Sequence, residues 1–270
     1  MDTIVKEEVK TRQIIPMKCP ICGVETNYSY CMMDGKTNEE SIWMRCQCGV
    51  CFQAELPNGN IYDKNYIANL AEGKQAKDRY EYMLRLYAPL IEELTYGRMM
   101  LEVGFCVPYI LKAFEERGWL TWAIDVNPTL TGKGNIYNGD FLTYDFSLQS
   151  DAIKEITGES KISRKFDLIW MGHTIEHFPD PITALNKAYD LLDPKGVMFI
   201  STPDIDFINK TGLSGFPHFK KKEHNILWSE MALKRELERI GFKIIMMRRN
   251  FSSRFMSWYD LHCIAQKNYF

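Results

Sequence analysis

Six of the eight cysteines in this sequence fall between Cys19 and Cys51. Cys19-Pro20-Ile21-Cys22-Gly23 is C-x-x-C followed by glycine. Cys46-Gln47-Cys48-Gly49 is its return half, and Cys48 and Cys51 form a second C-x-x-C. Thiolates about one turn apart, with glycine relaxing the backbone so that amides approach sulfur, are the pattern of a closed four-coordinate zinc site with arms of about 2.3 Å. The expected ligands are Cys19, Cys22, Cys46 and Cys48. Cys51 is the alternative to Cys46 or Cys48, and Cys31 reads as a small buried residue between the halves. Clustered cysteines of this kind suit a reducing compartment and a metal rather than disulfides.

A second group, His173, Glu176 and His177, is H-x-x-E-H. On a continuous helix this string brings two histidines onto one zinc ion. Here it follows an apolar run at 166–171 and leads into Pro179-Asp180-Pro181, so no such helix is expected. The chemistry left is that of a general base, His173 or His177, taking a proton from a substrate, or of Glu176 and His177 shaping a pocket. His218 and His224 are further candidates for a base or a ligand.

These groups need elements to hold them. The run MMLEVG at 99–104 reads as a buried parallel strand ending in an acid and a glycine. A helix follows over 108–117, with Gly118 as its C-terminal stop, and then a second apolar run, 120–124, ends at Asp125. Strand, turn, helix, strand and acid make up a nucleotide-binding crossover, in which Gly104 makes room for the ligand and Asp125 accepts from ribose hydroxyls. Further strands are expected at 136–141, 166–171 and 197–201, then an antiparallel pair at 242–247 and 259–265. Helical spacing over 74–94 predicts a lead-in helix that Pro89 kinks or divides. Residues 145–165 read as a helix plus loop. Asp180 and Ser229 are expected N-caps, and Gly241 ends the last helix. The segment 202–226 has no period and reads as a lid, with Phe207, Phe216 and Phe219 against an acceptor and Tyr80, Tyr82 and Tyr87 on the other side.

Composition narrows the classes. Hydrophobic residues at 46% exclude global disorder. Lys+Arg of 33 against Asp+Glu of 35, a net charge of −2, gives no electrostatic case for a nucleic-acid partner. No stretch approaches the roughly 18 apolar residues of a membrane span. The charged N-terminus has no apolar signal core, so the protein reads as cytoplasmic.

In this order the motifs resemble the class I S-adenosylmethionine-dependent methyltransferases, over roughly residues 75–250. LEVG resembles the first motif and implies that Glu102 and Gly104 lie beside the methionine part of the cofactor. IDVNP resembles the second and implies Asp125 on the ribose. GDF resembles the third and implies Asp140 on the adenine amino group with Phe141 beside the ring. FDLIWMGHTIEHFPDP and LLDPKGVMFISTPD resemble the later motifs of the small-molecule branch. Some members that methylate hydroxyls hold a divalent cation with acids and histidines at this place, which adds a metal reading for His173, Glu176 and His177. One departure stands out: the family loop continues with two further glycines, whereas Phe105, Cys106, Val107 and Pro108 follow Gly104 here, and side chains at 106 and 108 would crowd a backbone that approaches the cofactor closely. Over 17–55 the chain is similar to a zinc ribbon, with hairpin strands at 28–32 and 41–44.

The resemblance implies an α/β fold, a doubly wound, mostly parallel seven-stranded sheet preceded by a small zinc-ribbon β module. The expected division is 1–58 for the module and an N-terminal arm, 59–98 for a linker and lead-in helix, and 99–270 for the Rossmann-like domain. The leading function is methyl transfer from S-adenosylmethionine to a small molecule such as a sugar, natural-product or phenolic acceptor. One alternative is a modifier of nucleic acid or protein whose ribbon captures the macromolecule. The other is a non-catalytic binding protein with a degenerate cofactor loop.

Overall fold

The apolar runs of the sequence become strands, and their order decides where a ligand can sit. The computed structural model describes residues 16–33, 39–55, 74–105, 107–127, 135–148, 162–221, 223–250 and 259–268. The expected N-terminal arm, the linker at 59–73 and Cys106 lie outside them. The helix expected in 145–165 also falls mostly outside.

At the N-terminal end, β1 (Met17–Lys18) and β2 (Glu25–Thr26) pair antiparallel around the first two cysteines. β3 (Ser29–Met33), β4 (Glu40–Arg45) and β5 (Cys51–Gln53) follow as an antiparallel sheet, with Tyr30 opposite Trp43 and Met44 opposite Phe52. The expected hairpin therefore forms, with each strand a residue or two longer or shifted. Cys31 departs from its expectation. It is exposed on this hairpin, and its thiol donates to Glu40 Oε1 at 2.8 Å.

The lead-in helix α1 (Lys74–Leu94) is unbroken. Pro89 is exposed on it, so among the described residues its ring packs against no neighbouring element, and the helix continues through it. Asp167 ends the approach to the main sheet by accepting from Gly97 N at 3.1 Å and Met99 N at 2.9 Å. The sheet then runs through β6 (Met99–Val103), α2 (Tyr109–Glu115), β7 (Leu120–Asp125) and β8 (Asn135–Asn138). A small antiparallel pair, β9 (Ser147–Leu148) and β10 (Ile162–Ser163), precedes β11 (Phe166–Gly172), α3 (Pro181–Leu191) and β12 (Leu192–Pro203). Short helical turns at Ile205–Phe207 and Ile208–Thr211 lead to β13 (Ile226–Leu227), α4 (Glu230–Ile240), β14 (Phe242–Asn250) and β15 (Asp260–Lys267). The caps are those expected: Asp180 accepts from Thr183 N, Ser229 accepts from Ala232 N, and Gly241 closes α4 at φ +117°.

The seven strands lie in the order β14-β15-β12-β11-β6-β7-β8, and all run the same way except β15, which is antiparallel to both β12 and β14. This is the doubly wound arrangement. Both faces are covered, because successive residues point to opposite sides. Leu101, Ile169, Met171 and Ile200 meet α3 and α4 on one face. Met100, Leu168, Trp170 and Phe199 meet α1 and α2 on the other. The chain leaves β6 toward β8 and returns to β11 on β6's other side. The carboxyl ends of β6 and β11 thus flank the point where strand order reverses, the place where open α/β sheets take ligands.

β13 does not join this sheet. It pairs antiparallel with β5, Leu227 opposite Cys51 and Ile226 opposite Phe52, and completes a four-stranded sheet with the N-terminal strands. No helix among the described residues is long and apolar enough to cross a membrane.

Candidate functional site

Three groups of side chains collect around this frame. The first is the crevice at the reversal point. β6 and β7 pair in parallel with Val103 opposite Ile124, and Gly104 N donates to Ile124 O at 3.0 Å. Gly104 is therefore beside Asp125. Gly104 has φ +77°, and a Cβ on it would stand 2.3 Å from Thr174 Oγ1. Only glycine fits there. The Thr174 hydroxyl is in turn fixed by donating to Val103 O at 2.9 Å. Glu102 is buried, and burial, followed by the neighbouring Asp125, holds its carboxyl well above the ordinary range. Its Oε2 has no hydrogen-bond partner among the described residues. Burial pushes Asp125 up to about 6, opposed by the Asn127 N–H that it accepts at 2.7 Å.

Asp140 follows β8, where Gly139 N donates to Asp125 O at 2.8 Å. It is exposed, and its Oδ1 accepts from Leu142 N. Phe141 is buried against Phe146 and Phe178. The bulky Phe105 is also buried, packed in the layer beneath α1 and α2. Its ring is directed into the core.

The second group sits at the end of β11. The string H-x-x-E-H forms no helix; Ile175–His177 is a single 3-10 turn. His173 occupies the left-handed region at φ 52°, unusual for a residue with a Cβ. The ring explains what holds it there: Nδ1 lies 3.2 Å from Glu176 Oε1 and Nε2 lies 3.1 Å from Asp260 Oδ2, both on fully buried carboxylates. Glu176 Oε2 also accepts from Thr202 Oγ1 at 3.0 Å. Burial by itself would raise the Glu176 carboxyl, but the His173 hydrogen bond and the nearby His173 and His177 rings take it below its ordinary value. With both ring nitrogens facing carboxylates, His173 is poorly placed as a base.

His177 and His224 are arranged differently. His177 Nδ1 lies 2.6 Å from Glu223 O and His224 Nδ1 lies 2.8 Å from His218 O. A carbonyl only accepts, so both rings carry their proton on Nδ1 and a lone pair on Nε2. Burial lowers the affinity of both rings for a second proton; for His177 the neighbouring Glu176 opposes the shift, and for His224 the His177 ring adds to it. One ligand atom from each of Glu176, His177 and His224 lies within 4.8 Å of the others. His218 is close by, 5.9 Å from His224 between ring centres, and burial lowers its pKa to about 3.

The third group is the cysteine cluster. Sγ atoms of Cys19, Cys22, Cys46 and Cys48 all lie within 4.8 Å of one another, with Cys19–Cys48 at 3.6 Å and Cys22–Cys46 at 3.5 Å. Four sulfurs on a tetrahedron with arms of about 2.3 Å stand about 3.8 Å apart, so the spacing fits zinc. Cys51 is elsewhere, buried with Trp43, Phe216 and Leu227, and burial pushes its thiol up to about 12.

Several sequence expectations change here. Phe207, Phe216 and Phe219 do not line an open pocket; all three are buried with Trp43 where segment 205–227 docks on the N-terminal sheet. Tyr87 is buried as well, with its hydroxyl 2.6 Å from His262 Nδ1. Asp260 and Thr202 belong to the histidine cluster and were not singled out in the sequence. A charged residue opening the last strand, Asp260 before the apolar Leu261, was the available signal.

The fold is that of a methyltransferase domain. The family described as "Methyltransferase domain" matches residues 75–246, and the chain belongs to that family. Its curated relatives include the ubiquinone biosynthesis O-methyltransferase of Haemophilus ducreyi, 29% identical over 119 residues that cover 43% of this chain and 48% of the relative. The enzyme of the same name from Xanthomonas campestris is 28% identical over 107 residues, 39% of this chain and 43% of the relative. The match thus spans less than half of either relative. Among solved structures, the Burkholderia thailandensis 1,6-didemethyltoxoflavin-N1-methyltransferase, crystallised with S-adenosylhomocysteine, superposes with a TM-score of 0.54 at 15% identity, covering 89% of this chain and 99% of that one. A SAM-dependent methyltransferase from Archaeoglobus fulgidus gives 0.51 at 16% identity, covering 76% and 100%.

Proposed function

We propose that this chain transfers a methyl group from S-adenosylmethionine to a hydroxyl-bearing small molecule. The observation that carries the reading is the crevice itself. Gly104 is backbone-only beside Asp125, and Glu102 keeps a buried oxygen without a donor. An adenosyl ligand brings ribose hydroxyls for Asp125 and an amino group for Glu102. Asp140 and Phe141, one strand further out, are assigned to the adenine. Of the two positions where the family has further glycines, Cys106 lies outside the described residues and Pro108 is exposed; the ring of Phe105, between Gly104 and Cys106, packs into the core beneath α1 and α2.

When bound, S-adenosylmethionine supplies an electrophilic methyl group on a sulfonium. The chain has to align the acceptor, which removes about 7–11 kcal/mol of barrier in well-oriented reactions. His177 is the group assigned to take the acceptor proton, on Nε2. A neutral ring with a fixed tautomer is the right state for a general base. Glu176 and His173 hold the turn that carries it.

A second reading of the same cluster is favoured by the convergence of Glu176, His177 and His224. Those residues would hold a divalent cation, which would polarise the acceptor oxygen as a Lewis acid. The Cys19, Cys22, Cys46 and Cys48 cluster is assigned a structural zinc ion, with four thiolates persisting in a reducing cytoplasm.

The test is methyl transfer from labelled S-adenosylmethionine to parallel pools of phenolic, sugar and natural-product acceptors, RNA and protein. Label in a small-molecule pool is expected. Label confined to RNA or protein would overturn the acceptor class.

A further inference from the structure

The cysteine cluster and the histidine cluster are linked by one side chain. Cys46 and Cys48 form the turn between β4 and β5, and β5 ends at Gln53. Gln53 is buried. Its Nε2 donates to Lys221 O at 2.9 Å and to Lys220 O at 3.2 Å, and it also contacts His224 O. Three carbonyls around one atom fix the amide orientation, because an oxygen there would face only acceptors. The Gln53 backbone N–H donates to Asn225 O at 3.0 Å.

The other side of the same loop is tied to the H-x-x-E-H turn. Asn225 N donates to Glu176 O at 2.8 Å, Asn225 Nδ2 to His177 O at 2.6 Å, and His177 Nδ1 to Glu223 O. The loop carrying His218 and His224 is therefore held between the cysteine-bearing hairpin and the turn at Ile175–His177. Phe219 packs edge-on to Trp43 at 5.3 Å and reinforces the contact.

We propose that Gln53 is a positioning residue of the acceptor site: it passes the order of the cysteine-held hairpin to residues 220–225 and so sets His224 beside Glu176 and His177. This rests on the reading of that cluster as the acceptor side. On this account the N-terminal module is an integral wall of the site, and a detachable capture device is the wrong description of it.

The test uses the full zinc-loaded chain and needs no acceptor. In the wild type, NMR is expected to show a through-hydrogen-bond coupling from Gln53 Nε2 to the Lys221 carbonyl, and long-range proton–nitrogen spectra to show His224 as a single Nδ1–H tautomer. Gln53→Met keeps the length and removes the donor, and Gln53→Glu replaces it with an acceptor. In both, His224 is expected to become a mixture of tautomers and the Asn225 amide to exchange about tenfold faster, the equivalent of one lost hydrogen bond. Amides of β11 and β12 and affinity for S-adenosylhomocysteine should be unchanged, which separates loss of positioning from loss of fold. An unchanged His224 tautomer and Asn225 exchange rate would overturn the proposal. So would absence of the wild-type coupling, even if neither variant folds. Failure of the wild type to bind S-adenosylhomocysteine would count against the proposed reaction and leave these readouts standing.

Discussion

His177 donates from Nδ1 to the carbonyl of Glu223 at 2.6 Å, a contact between the turn after β11 and a loop 46 residues further along the chain. This places the ring's lone pair on Nε2, 3.9 Å from Glu176 Oε1. Loss of a positioned base costs about 10²–10⁴-fold in turnover. His177→Gln should lower kcat by that order in the labelled-methyl assay and leave S-adenosylhomocysteine affinity unchanged. Because burial lowers the His177 pKa, the base is already neutral at pH 7. Activity should fall only as pH drops below about 6.5, the ordinary histidine value. A fall beginning above pH 7 would contradict the assignment.

Gly104→Ala should be costly for two separate reasons. The backbone is left-handed there, worth about 1–2 kcal/mol for an alanine, and the new Cβ would push Thr174 off the Val103 carbonyl. A stability loss of about 2–4 kcal/mol is expected in urea unfolding, together with weakened cofactor binding. An unchanged midpoint would mean that the β6–α2 turn relaxes.

With Asp125 on the ribose as proposed, its raised pKa predicts a pH-dependent cofactor affinity. In the free protein the carboxyl takes a proton as pH falls through about 6. Ribose hydroxyls donate to the ionised form, so that proton must leave on binding. Affinity should weaken by up to about tenfold per pH unit below this point. Asp125→Asn should flatten the profile. Stability of the free protein runs the other way. The folded carboxyl binds its proton at higher pH than the unfolded one, whose pKa is about 3.9, so this group contributes stability as pH falls from 6 toward 4.

The four-sulfur cluster predicts about one zinc per chain by elemental analysis. Cys22→Ser should release it and destabilise the N-terminal sheet. Cys51→Ala should keep it, with a loss of about 1–2 kcal/mol for a small cavity beside Trp43 and Phe216. Zinc lost from the Cys51 variant would reverse the ligand assignment.

Much of the frame was legible in the sequence because its signals are local. MMLEVG, the run ending at Asp125, and the caps at Asp180 and Ser229 each fix an element through neighbours a few residues away. What escaped is set by long-range packing. Phe207, Phe216 and Phe219 look the same in sequence whether they face a substrate or Trp43. Asp260 meets His173 across 87 residues and Gln53 meets Lys221 across 168, with no spacing rule to announce either. The choice of Cys48 over Cys51 depends on β5 carrying Cys51 into the cluster of Trp43, Phe216 and Leu227.

The central claim is that Glu102, Gly104 and Asp125 form an adenosyl-cofactor crevice despite the residues that follow the glycine. Calorimetric titration of the purified chain with S-adenosylhomocysteine tests it most directly. The account predicts saturation at one ligand per chain, with affinity reduced about 10- to 150-fold in Asp125→Ala, the loss of hydrogen bonds to a charged group. Absence of binding at millimolar ligand, or equal affinity in wild type and variant, would contradict it.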